Sequence, residues 1–343
     1  MRLVFIVLSI VFVTLIARLV YVVVPAAGLL SEAEPTDNTQ CEPITIAPGT
    51  EDVVYDAQSG LVFVSAAERR SGTMQPSNGI YAFDLTTRGP VRLVSVDTPA
   101  DFRPHGISLY RDGDVARLFV ISHPASGDQV LIYDIGPDGT LTHVETVIGE
   151  FVRQANDIQA TGPDSFYVTN DVYFGASLPG YLEAFFGLPL GGISHYDGQD
   201  GETLTRGLRY ANGIHLNADG SQLYASAFLG REVQVFDRDG QSNAIDRIAR
   251  HRIPLGLDNI ALADDGMIYI AGNPEVFSFM AHQADPEARA PSQVVEINPE
   301  TGEWRSVFYT DGRDIDSASV AVPTPDALLI GAVFDDHVLI CPR

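Results

Sequence analysis

A short polar pair recurs along this chain at intervals of roughly 50 residues, within the period range of propeller blades. The six pairs are Glu51-Asp52, His105-Gly106, Asn156-Asp157, Asn212-Gly213, Asp258-Asn259 and, more weakly, Ala318-Ser319. Each opens a similar pattern of apolar alternation, a turn rich in Asp and Gly, and a second apolar run. Asn212 leads into Gly213-Ile214-His215-Leu216, the turn Asn217-Ala218-Asp219-Gly220, then Leu223-Tyr224-Ala225-Ser226 and Glu232-Val233-Gln234-Val235-Phe236-Asp237. Short β-branched and aromatic runs bounded by Asp/Gly turns are hairpin signals. With three or four strands per unit, the six units predict an all-β chain. The expected fold is a six-bladed β-propeller with an N-terminal hydrophobic helix and a short apolar, partly helical insertion. A large β-sandwich would also show many short strands, but would not make the pairs fall at the same place in each unit.

Residues 1–30 read as a signal-anchor or signal peptide, 31–40 as a polar linker and 41–343 as the propeller. Leu3 to Val24 is apolar except for Ser9, Thr14 and Arg18. That is about 22 residues, against the ~20 a membrane span requires. Arg2 precedes the run and Ser31-Glu32-Ala33-Glu34-Pro35 follows it, which predicts a cytoplasmic N-terminus and export of the rest. A cleavable signal peptide competes, with Val24-Pro25-Ala26 as a tolerable cleavage site. The propeller is then either anchored and facing the extracytoplasmic side, or secreted. Cys41 and Cys341, the chain's two cysteines, stand near opposite ends of the expected ring, and an oxidising compartment favours a bridge between them. Tyr173 to Gly192 carries Phe174, Leu178, Tyr181, Leu182, Phe185, Phe186, Leu188 and Leu190. It reads either as packing on the propeller face or as a lid lining a pocket or touching a membrane, its helix limited by Pro179, Gly180 and Pro189.

Forty-five acidic residues against 21 basic give a formal charge of −24. That balance argues against a nucleic-acid partner, whose phosphates need Lys and Arg, and suits hard cations that prefer oxygen. Glu51, Asn156, Asn212, Asp258 and Asn259 supply five oxygen-bearing side chains at equivalent places in their units. Calcium takes about six to eight such ligands, and no Cys or His cluster is spaced for zinc. Asp52 and Asp157 are second members of their pairs. Strand alternation would send them deeper into the tunnel, where a second ion could be held. His105 occupies a pair position, and His123 follows the next run, so the two rings could meet as a proton-handling dyad. His195, His215, His251, His282 and His337 show no polar partner in the sequence and read as core or loop residues. No Gly-X-Ser-X-Gly elbow occurs, which disfavours a serine hydrolase.

With these residues in place, the chain from Cys41 to Cys341 resembles the paraoxonase/arylesterase family of calcium-dependent lactonases. The resemblance rests on Glu51-Asp52, Pro104-His105-Gly106-Ile107-Ser108, His123-Pro124, Asn156-Asp157-Ile158, Tyr167-Val168-Thr169-Asn170-Asp171, Ala211-Asn212-Gly213-Ile214, Asp258-Asn259-Ile260 and Leu329-Ile330-Gly331. It implies two calcium ions in the tunnel. Glu51, Asn156, Asn212, Asp258 and Asn259 would hold the catalytic one; Asp52, Asp157 and the Ile107 carbonyl would hold the structural one. It also implies a catalytic role for His105 and His123, a Cys41–Cys341 disulfide and an uncleaved N-terminus. The chain departs from the family where an active-site aromatic is replaced in the segment Glu68-Arg69-Arg70, and where the family's free cysteine gives way to Gly272-Asn273-Pro274. Tyr210 and Phe228 fall at expected substrate-wall positions.

The expected activity is calcium-dependent hydrolysis of small lactones, with aryl esters as side substrates. A gluconolactonase-like sugar-lactone hydrolase and a non-catalytic, calcium-stabilised binding propeller are the alternatives. Which of His105 and Asp258 initiates attack is open at this level.

Overall fold

The structure, a computed structural model, describes residues 2–29, 31, 33 and 35–343. Positions 1, 30, 32 and 34, which belong to the expected anchor and linker, lie outside the described residues. Six four-stranded antiparallel sheets are arranged as blades. Blades 1 to 5 are contiguous in sequence, covering 52–93, 104–147, 155–208, 211–252 and 256–310. Blade 6 is composite. Its inner three strands are Ala318–Pro323, Ala327–Ala332 and His337–Pro342, and its outer strand is Glu42–Thr45 from the start of the ring. Glu42 lies opposite Ile340, and a disulfide joins Cys41 to Cys341 beside this pairing.

The first strand of each blade lines the tunnel, and its neighbours along the ring are the first strands of the adjacent blades. Between blades, alternating side chains interdigitate into separate apolar cores. One such core holds Phe63, Ile80, Ile107, Leu118 and Leu131 from blades 1 and 2. Another holds Tyr224, Val233, Ile260, Ile270 and Val295 from blades 4 and 5. The polar pairs are thereby carried on rigid strand ends.

Helix α1 (Arg2–Ala26) projects mostly into solvent, and its Phe5–Ala26 segment is long and apolar enough to cross a membrane. Its C-terminal end rests on the propeller. Ala26 packs with Phe228 and Val276, Arg18 donates to the Phe186 and Gly187 carbonyls, and Arg231 donates to that of Pro25.

The insertion contains helix α2 (Leu178–Phe185), with Ser177 as its N-cap. Pro179 lies in its first turn, where a missing N–H costs nothing, so this proline starts the helix rather than shortening it. Leu178, Tyr181, Leu182 and Phe185 are exposed. A further helix, α3 (Val276–Ala284), joins two strands of blade 5 and was not anticipated. At 9 residues it is too short for a helical period to stand out from the surrounding strand pattern.

Candidate metal centre and active site

Five of the six polar pairs sit at β-bulges. The pairing register slips between Pro104 and Ile107, Ala155 and Ile158, Ala211 and Ile214, Leu257 and Ile260, and Ala318 and Val320. Only blade 1 keeps a regular ladder there, with Asp52 opposite Ser65. A bulge interrupts strand alternation and re-aims the side chains it contains. Asp157 is therefore placed by a bulge, whereas Asp52 stands on a regular strand. Asp52 and Asp157 do lie with Ile107 on the wall of a separate cavity of about 340 Å³, further along the tunnel. Asp52 Oδ2 accepts from the Ile107 amide at 2.7 Å, and Asp157 Oδ2 accepts from the Ile214 amide at 2.8 Å.

Each of these aspartates thus reaches past the glycine of the next blade's pair. A Cβ on Gly106 would lie 2.6 Å from the Asn156 oxygen, and one on Gly213 would lie 2.6 Å from the Ile260 nitrogen. Hydroxyls of neighbouring blades also bond the backbone of the pairs. Thr169 donates to the Asn212 carbonyl (2.5 Å), Ser226 to that of Asp258 (2.7 Å) and Ser319 to that of Glu51 (2.6 Å). The last bond gives the weak sixth pair a role, holding the Glu51 backbone.

Glu51, Asn156, Asn212, Asp258 and Asn259 are all buried, and none of them lines the cavity walled by Asp52 and Asp157. Glu51 Oε2, Asn156 Oδ1, Asn212 Oδ1 and Asn259 Oδ1 are buried without a hydrogen-bond partner. Buried oxygens are ordinarily bonded, so four orphans from four blades require an explanation. Burial pushes the Asp52, Asp157 and Asp258 carboxyls well above their ordinary value, and the Glu51 charge adds to the effect at all three. Burial also raises Glu51, but His105, Arg69 and Asn259 together outweigh it and leave its carboxyl lowered. A divalent, oxygen-seeking cation would meet both the orphaned lone pairs and the crowded negative charge, so the residues fit such an ion.

Beside this cradle runs a hydrogen-bonded relay. Glu51 Oε1 lies 3.3 Å from His105 Nε2, His105 Nδ1 lies 2.8 Å from His123 Nε2, and His123 Nδ1 lies 2.8 Å from Asp128 Oδ1. The Ala155 amide donates to the other Asp128 oxygen at 3.0 Å. Carboxylates at both ends can only accept. Three filled links need three protons, whereas two neutral rings carry two. Either one ring is an imidazolium, or one link is open. If Glu51 turns to a cation, the His105 Nε2 link is the one released. Asp128 was not singled out from the sequence; its position five residues after His123 is the only local signal.

Tyr210 adopts φ +61°, an uncommon conformation for a bulky residue. Its ring lies 5.9 Å from that of Phe228, followed by Phe279 at 6.1 Å and Phe334 at 5.6 Å. The Arg70 guanidinium lies 4.5 Å from the Phe334 ring centre. Phe279 and Phe334 come from the unanticipated helix and from blade 6, which no local pattern connects. Burial raises the Asp171 carboxyl to about 7, and the Tyr210 hydroxyl faces it.

Arg69, also missed as a site residue, donates from both Nη atoms to the Pro104 carbonyl at 3.3 Å. Its Nη2 lies 3.6 Å from Glu51 Oε2. His282, expected to be bland, accepts from Arg70 at 2.8 Å and approaches Asp316 and Asp335. Arg70 and Arg289, which pairs with Asp316 at 3.0 Å, already supply cationic partners to that cluster.

A sequence profile described as Arylesterase matches residues 50–342. Serum paraoxonase/arylesterase 2 of Homo sapiens is 29% identical over 318 residues, covering 88% of this chain and 89% of that one. Serum paraoxonase/arylesterase 1 of Rattus norvegicus is 27% identical over 326 residues, covering 90% of each. Among solved structures, a luciferin-regenerating enzyme superposes with TM-score 0.59 at 14% identity, covering 88% of this chain and 95% of that one. Regucalcin of Agrobacterium tumefaciens, described as a calcium-binding protein, gives TM-score 0.51 at 13% identity, with 87% and 96% covered.

Proposed function

This chain belongs to the arylesterase family, and we propose that it is a calcium-dependent lactonase with arylesterase side activity. As a family member it is an ester hydrolase; the metal, the proton relay and the preference for lactones are the finer reading. The observation that carries this reading is four orphaned buried oxygens on the tunnel-lining strands, from Glu51, Asn156, Asn212 and Asn259, with a histidine relay joined to Glu51. Those residues and Asp258 would hold one ion. Asp52, Asp157 and the Ile107 carbonyl would hold a second, structural one. When bound, the first ion supplies Lewis-acid polarisation of the scissile carbonyl.

The chain's own residues do the rest. His105 Nε2, released from Glu51, accepts a proton from the attacking water. His105 Nδ1 passes the charge to His123, whose ring Asp128 orients and whose imidazolium it stabilises. Tyr210 and Phe228, with Phe279 and Phe334, form an apolar wall for the acyl part of the substrate. That wall favours an apolar lactone over a sugar lactone. The relay has no purpose in a propeller that merely binds a partner.

A panel of lactones of varied ring size and chain length, run with and without a calcium chelator, tests the reading. Activity lost on chelation and restored by calcium is expected; unchanged turnover in metal-free protein would sink it. Single turnover in oxygen-labelled water tests for a nucleophilic Asp258: label found in that carboxyl group marks an acyl-aspartyl anhydride opened by water on the aspartyl side. Trapping of the acyl group on Asp258 in quenched protein detects the anhydride whichever side water attacks. We further propose that residues 1–30 remain as a membrane anchor with the propeller on the extracytoplasmic side, in keeping with the apolar helix and the disulfide.

A further inference from the structure

Arg69 has surroundings that are unusual for an arginine. The side chain is 17% exposed, and its guanidinium lies among the carboxylates of the metal cradle. Both Nη atoms converge on one acceptor, the Pro104 carbonyl, which directly precedes His105. Nε is buried with no partner. A guanidinium has five N–H donors in a rigid fork, so most of this one's capacity is unspent. The nearest carboxylate oxygen, Glu51 Oε2, is 3.6 Å away and is itself one of the four orphans offered to a cation. Glu68, the preceding residue, uses its Oε1 to accept from the Arg70 amide.

A buried cation is costly unless it is paired. In the metal-free protein Glu51 supplies part of that pairing. Two divalent ions would neutralise Glu51, Asp52, Asp157 and Asp258 in full, leaving Glu68 as a more distant counter-charge that is not bonded to the guanidinium. The loaded site therefore presents, next to His105, a planar donor whose fork holds no carboxylate. Carboxylates match such a fork with two parallel hydrogen bonds.

We propose that Arg69 makes this site selective for a lactone or ester that carries a carboxylate beside its scissile carbonyl. The inference rests on the lactonase reading and narrows its substrate class. The alternative is a brace: Arg69 fixes the Pro104 carbonyl and the strand bearing His105, and treats charged and neutral substrates alike.

The test uses calcium-loaded protein and two substrates that share one γ-lactone ring, one with a ring carboxylate and the other with the corresponding primary amide. Wild type should favour the carboxylate in kcat/KM by about tenfold or more, the size of a charge-assisted hydrogen bond. Arg69→Gln should abolish that preference, and Arg69→Lys should retain part of it. An unchanged preference in Arg69→Gln, or an amide preference in wild type, would overturn the proposal. Calorimetry supplies a readout that needs no turnover. Cyclopentanecarboxylate should bind wild type about tenfold more tightly than cyclopentanecarboxamide. Comparing wild type with Arg69→Lys and Arg69→Gln, where that margin should shrink, separates Arg69 from the calcium, which itself favours a carboxylate. Equal affinities in wild type, or an unchanged margin in Arg69→Gln, would overturn the role of Arg69 whether or not any lactone is hydrolysed. Failure of wild type to hydrolyse either lactone, with the calorimetric preference intact, would instead count against the lactonase reading.

Discussion

Glu51 has three competing neighbours: His105 at 3.3 Å, Asn259 at 3.1 Å and Arg69 at 3.6 Å. In the proposed mechanism a cation bound there would break the competition and leave His105 as a base. His105→Gln should lower kcat for lactones by about 10²–10⁴-fold, the range for a lost general base. Asp128→Asn should cost less and act through His123, so its signature is a shifted pH–rate profile with KM little changed. Burial, reinforced by Arg69, lowers the His105 pKa, although Glu51 pulls it the other way. With His105 as the proposed base, its neutral form would be the active one, so the acidic limb of kcat against pH should lie below the ordinary histidine value of about 6.5. A limb above that value would show that His105 is not the group titrating. Glu51, His105 and His123 were legible because they stand in or beside a repeating register. Asp128 and Arg69 were not, because their roles depend on neighbours from other strands.

The bulged first strands convert a sequence repeat into a ring of polar side chains. Their glycines are spatial requirements: on Gly213 a Cβ would also meet Asn259 Cα at 2.7 Å. Gly213→Ala should therefore push apart blades 4 and 5, weakening calcium binding and lowering the melting temperature together. Titration of the metal against a fluorescent chelator checks the first effect, and thermal unfolding the second. The aspartates on these strands also set an unusual pH dependence. In the metal-free protein Asp52, Asp157 and Asp258 have raised values, so the folded state holds more protons than the unfolded one. Stability then falls as pH rises through those values. Denaturant unfolding in chelator should show greater stability near ~pH 5 than near ~pH 7.5, and saturating calcium should remove or reverse the difference. The strands and the 178–185 helix were readable from local pattern. The bulges were not, since a register slip is a property of two strands rather than one.

The closed ring depends on its last blade, which borrows Glu42–Thr45 from the start of the chain. The disulfide spans a sequence separation of 300, so its loss releases a very long loop in the unfolded state. The Cys41→Ser/Cys341→Ser variant should be less stable by up to about 5 kcal/mol, as read by denaturant unfolding with calcium present. A negligible change would mean that strand pairing and metal alone close the ring. Blade count, the ring-closing cysteines and the oxygen-bearing side chains on the first strands were visible in one dimension, because a propeller repeats its local pattern and places equivalent residues around one axis. The aromatic arc from Tyr210 to Phe334, the Asp128 end of the relay and the guanidinium of Arg69 were decided only when distant strands and helices packed. They arise from contacts between different blades, and no periodicity along the chain encodes which side chains will meet across the tunnel mouth.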